Sequence, residues 1–369
     1  MATKIGFLEA PDSQWMAQAL HLAERGLFTA TPNPRVGCVL VKDGAVIGQG
    51  WHERAGEPHA EPLALRAAGE KARGATAYVT LEPCSHFGRT PPCADALIAA
   101  GVVRVVIAMQ DPNPLVSGQG IVKLRAAGVE VECGLMEAEA RTLNIGFVKR
   151  MTEGLPWVRS KIAASLDGRT ALANGVSQWI TGEEARRDVH VWRARSCAVL
   201  TGIDTVLKDD AQLTVRHVAT TRQPLRVVLD SKLRIPCGAK IFQDGKVLVI
   251  TATTDAKKIA ALEQIGAKVA VIQDDNGRVN LLDALKHLAT IGCNEVLVEA
   301  GSTLNGALFK ARLVDELVLY FAPQLLGDMA RGMVKLGEMV RLDQRVELAW
   351  QDVRRVGEDL RILAKVKKG

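Results

Sequence analysis

Three residues with the chemistry of zinc ligands stand in the first half of the sequence: His59, Cys84 and Cys93. Zn²⁺ favours imidazole nitrogen and thiolate sulfur, and a catalytic zinc site keeps three protein ligands and leaves a fourth position for water. Bound zinc lowers the pKa of that water towards neutrality, which creates a hydroxide nucleophile. Glu61, on the first turn of the helix predicted after His59, is the candidate general acid/base. The pattern predicts one hydrolytic zinc site per chain.

The order His-x-Glu followed by Pro-Cys is typical of zinc-dependent nucleobase deaminases, which indicates a reaction on a pyrimidine-type ring. That signature usually ends Cys-x-x-Cys, whereas here the longer segment SHFGRTPP separates Cys84 from Cys93. Such a gap needs a loop, whose His86 and Arg89 could face the substrate. A structural zinc module without turnover is the competing interpretation. The presence of three ligands beside Glu61 argues against it, because closed structural sites use four.

The elements that must position these residues follow an α/β pattern. Residues 13–25 predict a helix, Asp43-Gly44 between two apolar runs predicts a hairpin, and a further helix begins near Pro58. Strand-like and helical segments then alternate, which is typical of an α/β fold with a largely parallel sheet.

The alternation resets at Gly154 and Pro156, and a second α/β series follows. We therefore predict two domains, residues 1–150 and 151–369. The length of 369 residues agrees with two domains.

Composition excludes several classes of protein. Hydrophobic residues make up 48% of the chain and charged residues 24%, no apolar run is long enough to span a membrane, and the N-terminus lacks the apolar core of a signal peptide. Seven scattered cysteines favour free thiols and metal ligands in a reducing compartment, so we expect a cytoplasmic protein. The net charge of +6 lies in the second half, which suits phosphorylated ligands or a solvated basic face equally well.

Longer segments carry a closer resemblance. TPNPRVGCVLVKDG, HERAGEPHAE, TLEPCSHFGRTPPC, DPNP, SKIAASLDGRTA, SQWITGEEAR, TGIDTVLKDDAQLTVR and VEAGSTLNGAL resemble the bacterial bifunctional riboflavin-biosynthesis deaminase–reductases. The resemblance covers nearly the whole chain and thins in residues 235–290 and near the C-terminus. The loop between the two cysteine ligands has this length in that family, which removes the departure noted above.

This resemblance implies a cytidine-deaminase-like domain followed by a dihydrofolate-reductase-like domain. The first would hydrolytically deaminate 2,5-diamino-6-ribosylamino-4(3H)-pyrimidinone 5′-phosphate. The second would use NADPH to reduce the ribosyl side chain, giving 5-amino-6-(5-phosphoribitylamino)uracil. The resemblance also assigns Asn33 and His52 to the deaminase substrate site, although His52 alone could be an ordinary core histidine.

The second half has no G-x-G-x-x-G after a strand. VLVEAGSTLNGALF nevertheless reads as strand, glycine-containing turn and helix, whose first amides form an anion site or simply an ordinary capped helix. The resemblance matches this stretch to an NADPH pyrophosphate loop, formed by Gly301, Ser302, Thr303, Leu304, Asn305, Gly306 and Ala307.

Ser231-Lys232, at the end of a predicted strand, could hold the 2′-phosphate of NADPH or be a polar loop start. Other positions match the family's cofactor site, namely Ala163, Trp179, Thr205 and Asp209. A third set matches its reductase substrate site, namely Ser177, Arg193, Leu213, Arg216 and Glu299. Arg193 and Arg216 suit a 5′-phosphate because the guanidinium fork fits phosphate oxygens, unless they are only surface arginines. Lys161 and Asp209 are the candidate proton donors for the reduction.

An RNA-acting deaminase with an accessory RNA-binding domain is the alternative function. The charge-neutral first half argues against it, because binding a phosphate backbone requires clustered cations. We expect small phosphorylated pyrimidines as partners, no nucleic acid, no membrane, and a homo-oligomer.

Overall fold

The computed structural model describes residues 10–86, 91–114, 116–243 and 245–367. The chain divides into two compact units, with the division between Gly154 and Leu155. Among the described residues, no helix has both the length and the apolar character needed to cross a membrane.

Unit 1 is a five-stranded sheet with six helices among its described residues. The strands are β1 Gly37–Lys42, β2 Ala45–Trp51, β3 Thr76–Val79, β4 Arg104–Ile107 and β5 Glu130–Cys133; the helices are α1 Ala10–Glu24, α2 Ala60–Ala68, α3 Cys93–Ala99, α4 Gln119–Ala126, α5 Glu137–Leu143 and α6 Ile145–Glu153. The strand order is β2-β1-β3-β4-β5. β3, β4 and β5 run parallel, whereas β1 is antiparallel to both of its neighbours. The expected parallel sheet is therefore only half correct here, because a tight hairpin forces β1 and β2 to be antiparallel.

The predicted hairpin is confirmed. Asp43 and Gly44 join β1 to β2 and have φ angles of 51° and 72°. Asparagine, aspartate and glycine tolerate this left-handed region best, and turns with two such residues match the twist of a hairpin.

Two glycines of β2 bring helix α2 against the sheet. A Cβ atom at Gly48 would lie 2.3 Å from the carbonyl oxygen of Ala64, and one at Gly50 would lie 2.6 Å from that of Ala60. Only glycine permits so close an approach of helix and strand. This contact fixes the start of α2, where His59 and Glu61 lie.

Unit 2 is built on a nine-stranded sheet in the order β11-β10-β9-β8-β12-β6-β13-β16-β15. Its strands are β6 Trp157–Ser165, β7 Arg169–Ala171, β8 Ala198–Gly202, β9 Leu225–Leu229, β10 Val247–Thr251, β11 Lys268–Val271, β12 Glu295–Val298, β13 Glu316–Ala322, β14 Arg331–Gly332, β15 Leu348–Val356 and β16 Asp359–Val366; β7 and β14 form a separate pair. Its helices are α7 Glu183–Arg195, α8 Ile203–Asp209, α9 Ala256–Gln264, α10 Leu281–Thr290 and α11 Ser302–Lys310.

The strands from β11 to β13 pair in parallel, and β16 and β15 extend the sheet with antiparallel pairs. Two hydrophobic clusters cover this sheet, one including Val158, Leu200 and Leu285, the other including Val199, Val228 and Ile241. Alternate residues of β8 belong to different clusters, because successive side chains of a strand point to opposite faces. The parallel strands therefore end together at one edge, where a ligand cleft is expected.

Candidate functional sites

The structure brings the three predicted zinc ligands of unit 1 together. His59 precedes α2, Cys84 lies in the loop after β3, and Cys93 begins α3. Their ligand atoms all lie within 4.8 Å of one another; His59 Nδ1 is 3.3 Å from Cys93 Sγ and 3.7 Å from Cys84 Sγ. Zn–N and Zn–S bonds at tetrahedral angles would separate nitrogen and sulfur by about 3.5 Å. The three donors therefore fit one zinc ion.

The first helical turn of α3 favours a thiolate at Cys84. The backbone N–H of Cys93 donates to Cys84 Sγ at 3.3 Å. The pKa of Cys84 is lowered to about 4, first by a hydrogen bond from the Cys93 thiol and also by His59. Because the thiolate is the form that binds metal, the loop and α3 prepare this ligand before an ion arrives.

Glu61 lies on the first turn of α2 with its carboxylate inside unit 1. The residue is 3% exposed, and its Oε2 has no hydrogen-bond partner among the described residues. Burial raises the pKa of Glu61 to about 7. A buried acceptor without a partner is costly, which indicates that a bound molecule completes its environment.

Asn33 and His52 border the same site. The His52 and His59 rings meet edge to face with centroids 5.3 Å apart, and Asn33 Nδ2 lies 3.0 Å from His52 Nε2. His52 Nδ1 lies 3.1 Å from the carbonyl oxygen of Pro58, so it must donate there. Burial lowers the pKa of His52, so the ring is neutral and its Nε2 accepts from the Asn33 amide. This leaves Asn33 Oδ1 as an acceptor for a ligand.

The loop between the two cysteines is only partly described. His86 is exposed, and Arg89 lies outside the described residues. Ser85 Oγ is buried and has no hydrogen-bond partner in the described part of the chain.

Glu82 is a site-shaping residue that the sequence analysis missed. Its buried carboxylate accepts the backbone N–H groups of Asp111, Gly118, Gly120 and Ile121 at 2.8–3.2 Å. It thereby fixes the loop after β4 and the start of α4 next to the Pro-Cys segment. The resemblance contained a signal for it, because Glu82 belongs to the matched segment TLEPCSHFGRTPPC.

Unit 2 contains a cleft of about 2160 Å³ at the carboxyl ends of β6, β8, β9 and β12. Most of the predicted reductase residues line it: Lys161, Ala163, Ser177, Trp179, Arg193, Thr205, Asp209, Leu213, Arg216, Ser231, Glu299, Gly301, Ser302, Thr303, Leu304 and Ala307. Among the described residues, Asn305, Gly306 and Lys232 do not line this cleft.

Asn305 and Gly306 face the interior of unit 2. The Asn305 amide donates to the carbonyl of Ala300 and accepts from Ser160 Oγ, both at 2.9 Å. A Cβ atom at Gly306 would lie 2.2 Å from the carbonyl oxygen of Lys335. The contacts of these two residues therefore anchor α11 against its surroundings.

The start of α11 is arranged to bind an anion. Gly301 precedes the helix in an extended conformation, and no side chain of the described residues caps it. Gly301, Ser302 and Thr303 line the cleft. The first amides of a helix carry partial positive charge, so this end fits a pyrophosphate such as that of a dinucleotide.

A buried charge cluster crosses the cleft. The Arg193 guanidinium binds both oxygens of Glu299, at 2.5 and 3.0 Å, and also donates to the carbonyl of Thr214 at 3.0 Å. Lys161 Nζ lies 3.9 Å from Glu299 Oε2. Burial raises the pKa of Glu299, but the charge and hydrogen bonds of Arg193 and the charge of Lys161 lower it to about 2. Burial lowers the pKa of Lys161.

Arg216 is the more available of the two predicted phosphate-binding arginines. It is exposed, and its guanidinium donates to Gln212 Oε1 at 3.2 Å. The backbone N–H of Arg216 donates to His190 Nδ1 at 3.0 Å. Burial lowers the pKa of His190 to about 4, and the charges of Arg193 and Arg216 contribute to this decrease. A neutral His190 thus positions Arg216, a role for which the sequence offered no signal.

Comparison with known families matches both units. The family described as RibD C-terminal domain matches residues 156–362, and the cytidine and deoxycytidylate deaminase zinc-binding region matches residues 9–109. Riboflavin biosynthesis protein RibD of Escherichia coli (strain K12) is 50% identical over 362 residues, covering 95% of this chain and 98% of that protein. Its counterpart in Aquifex aeolicus (strain VF5) is 42% identical over 358 residues, covering 96% and 98%.

Solved structures agree over nearly the full length. RibD of Acinetobacter baumannii has a TM-score of 0.91 at 48% identity, covering 97% of this chain and 99% of that one. A Thermotoga maritima diaminohydroxyphosphoribosylaminopyrimidine deaminase/5-amino-6-(5-phosphoribosylamino)uracil reductase has a TM-score of 0.86 at 34% identity, with the same coverage. The predicted cytidine-deaminase-like domain and following reductase domain are therefore confirmed. With its zinc-binding deaminase region and its reductase domain, this chain belongs to the family of bifunctional riboflavin-biosynthesis deaminase–reductases.

Proposed function

We propose that the domain of residues 1–150, which makes up most of unit 1, hydrolytically deaminates 2,5-diamino-6-ribosylamino-4(3H)-pyrimidinone 5′-phosphate. The domain of residues 151–369, which contains unit 2, then uses NADPH to reduce the ribosyl chain, which yields 5-amino-6-(5-phosphoribitylamino)uracil. The observation that carries this proposal is the pairing in one chain of the His59, Cys84 and Cys93 cluster with a separate nucleotide-sized cleft. The Thermotoga maritima relative, whose name includes both activities, supports the choice of substrates.

In unit 1, His59, Cys84 and Cys93 would hold the zinc ion. When bound, zinc supplies an activated water for attack on the ring carbon that carries the amino group. The Glu61 carboxylate has a free Oε2 and a pKa near neutrality, so it can accept a proton and release it again. Glu61 would take one proton of the attacking water and deliver it to the ring nitrogen, and would then carry the second proton of that water to the amino group, which leaves as ammonia.

Asn33 and His52 would orient the pyrimidine ring. Two hydrogen bonds connect the Asn33 amide to the His52 ring and the ring to the Pro58 carbonyl, and they fix the direction of each donor. They leave Asn33 Oδ1 to accept from the substrate. Burial keeps the His52 ring in one protonation state around neutral pH, so the direction of these hydrogen bonds does not change. A fixed acceptor of this kind discriminates ring amino from ring carbonyl groups.

In unit 2, the amides at the start of α11 would bind the pyrophosphate of NADPH, with Ala163, Trp179, Thr205 and Ser231 along the cofactor. Bound NADPH supplies a hydride to the carbon of the opened sugar or its imine. Lys161 would deliver the proton that follows, because its side chain is 17% exposed and burial lowers its pKa. Asp209 is the other candidate proton donor. It lines the cleft but is exposed, so it is less enclosed than Lys161.

The substrate of unit 2 would bind opposite the cofactor. Arg216, held by His190, would bind the 5′-phosphate with a guanidinium that has unused donors. Arg193 would act partly through Glu299, because three of its donor contacts already go to Glu299 and Thr214. Ser177 and Leu213 line the same cleft.

The test is product analysis by mass spectrometry after incubation of the purified protein with the diaminopyrimidinone phosphate. Without NADPH, we expect the deaminated ribosyl compound and ammonia. With NADPH, we expect the ribityl product. Release of neither product from zinc-loaded protein would overturn the proposal. The full-length match to metabolic relatives favours this function over RNA deamination.

We also propose a cytoplasmic homo-oligomer. No described strand pairs with the outer edge of β15, where Trp350 and Val353 are 64% and 55% exposed. An open edge strand with exposed apolar side chains is suited to pairing with a second copy of the chain. No disulfide joins cysteines of the described residues, which supports a reducing compartment. Light scattering of the purified protein measures the oligomeric state.

A further inference from the structure

A turn borders the cleft next to Ser231. The backbone N–H of Val279 donates to Ser231 Oγ at 3.1 Å, which ties the turn to the residues that follow β9. Within the turn, Asp274 Oδ1 accepts the backbone N–H of Arg278 at 2.8 Å. The position of Arg278 relative to Ser231 is therefore set by backbone hydrogen bonds on both sides.

The Arg278 side chain is not bound by other described residues of unit 2. It is exposed and lines the cleft, and its guanidinium makes no hydrogen bond or ion pair with any residue that the structure describes. Lys240, another cation of the cleft, is engaged, because its Nζ lies 3.2 Å from an oxygen of Asp210. Lys232, which the sequence favoured as the phosphate-binding cation, is exposed but does not line the cleft.

The spacing suits the adenosine end of a dinucleotide. Ser231 follows β9 and Gly301 follows β12, and only β8 separates these strands in the sheet. With neighbouring strands about 4.8 Å apart, β9 and β12 are about 10 Å from each other across the sheet. A nucleotide whose pyrophosphate lies on the first turn of α11 would therefore bring its adenosine ribose to Ser231 and Arg278.

The donors there match a phosphate monoester. Ser231 Oγ already accepts from Val279, so its hydroxyl proton is available for donation. A guanidinium presents two parallel donors that fit phosphate oxygens, and it remains charged at any working pH. The turn has two acidic residues: Asp274, whose Oδ1 accepts backbone N–H groups within the turn, and Asp275, which is exposed and does not line the cleft.

We propose that Arg278, together with Ser231, binds the 2′-phosphate of NADPH and makes the reductase select NADPH over NADH. This inference rests on the proposed reductase function. It assigns a specificity-determining residue in the stretch where the family resemblance is weakest.

The experiment is isothermal titration calorimetry of the full-length protein with NADPH and with NADH, without substrate, so that binding is measured apart from turnover. Arg278→Ala should raise the Kd for NADPH about tenfold and leave the Kd for NADH within twofold, because a charge-assisted hydrogen bond to the phosphate is lost. Arg278→Lys should keep part of the NADPH affinity, since lysine retains the charge but not the fork. Ser231→Ala should narrow the NADPH preference in the same direction.

Lys257→Ala is the matched control, because Lys257 is an exposed cation of unit 2 that does not line the cleft. Its NADPH and NADH affinities should equal those of the unmodified protein. An unchanged ratio of the two Kd values in Arg278→Ala, with NADPH still bound tightly, would overturn this inference and leave the reductase function intact. A loss of NADPH affinity in Lys232→Ala instead of Arg278→Ala would also overturn the inference. Failure of the unmodified protein to bind either nucleotide would overturn the reductase function, and the inference with it.

Discussion

Glu299 neutralises two buried cations in the cleft of unit 2. Removing the charge of Glu299 is therefore a direct test of how that unit is stabilised. The folded protein holds its pKa at about 2, against an ordinary value of 4.5: burial raises it, while Arg193 and Lys161 outweigh that effect. At about 1.4 kcal/mol for each pH unit, this difference corresponds to about 3 kcal/mol in favour of the folded state. Glu299→Gln should therefore lower the free energy of unfolding of unit 2 by about 3 kcal/mol at pH 7.

The effect has a defined pH dependence. Because the folded pKa is depressed, the stabilisation is fully present above the unfolded pKa of 4.5 and is lost as the pH falls towards about 2. The difference between the unmodified protein and Glu299→Gln should thus be constant from pH 7 to 5.5 and smaller at pH 4. Urea unfolding at the three pH values measures it, and hydrogen exchange in β8 and β12 shows that the loss is in unit 2.

Glu338→Gln is the control, because Glu338 is an exposed carboxylate of the same unit. It should change the free energy of unfolding by less than about 0.5 kcal/mol. A loss below about 1 kcal/mol in Glu299→Gln at pH 7, or a loss that increases as the pH falls from 5.5 to 4, would refute the reasoning.

Four further predictions concern the two activities. Cys84→Ser with Cys93→Ser should abolish zinc binding, measured by elemental analysis; full occupancy would contradict the ligand assignment. Glu61→Gln should keep zinc but lower the deamination rate roughly 10²–10⁴-fold, because the amide cannot accept a proton; a rate within twofold would assign the proton transfer elsewhere. Glu82→Gln should lower the melting temperature of unit 1 and its deamination rate, since an amide nitrogen cannot accept the N–H groups now bound; unchanged values would leave Glu82 without a role. A fragment of residues 151–369 should reduce the deaminated compound without zinc and hardly reduce the undeaminated one; equal rates on both would refute an ordered sequence.

The sequence predicted features that local chemistry determines. The Asp43-Gly44 hairpin follows from residues that tolerate positive φ, and the His59, Cys84 and Cys93 set follows from ligand type and order. Arg278 was not predicted because its placement beside the cleft depends on a hydrogen bond between Val279 and Ser231, which are 48 positions apart in sequence.

A contiguous sequence motif that lies on a helix predicts too many residues for the site. The matched run from Gly301 to Ala307 covers nearly two turns of α11, so its members point in all directions around the axis. Leu304 and Ala307, three residues apart, face the cleft, whereas Asn305 and Gly306 face the interior. Sequence similarity identifies the loop as a unit, and only the helix geometry separates the residues that line the cleft from those that anchor the loop.

The close approach of α2 to β2 places a catalytic constraint on residues with no reactive group. Any side chain at Gly48 or Gly50 would push the helix outward, since the obstructing atoms belong to the backbone of Ala64 and Ala60. His59 and Glu61 would move with it, and a displacement of about 1 Å in a catalytic group can cost a factor of about 10² in rate. In directed evolution of this enzyme, substitutions at these two glycines would then be rejected by selection for activity even in variants that still fold.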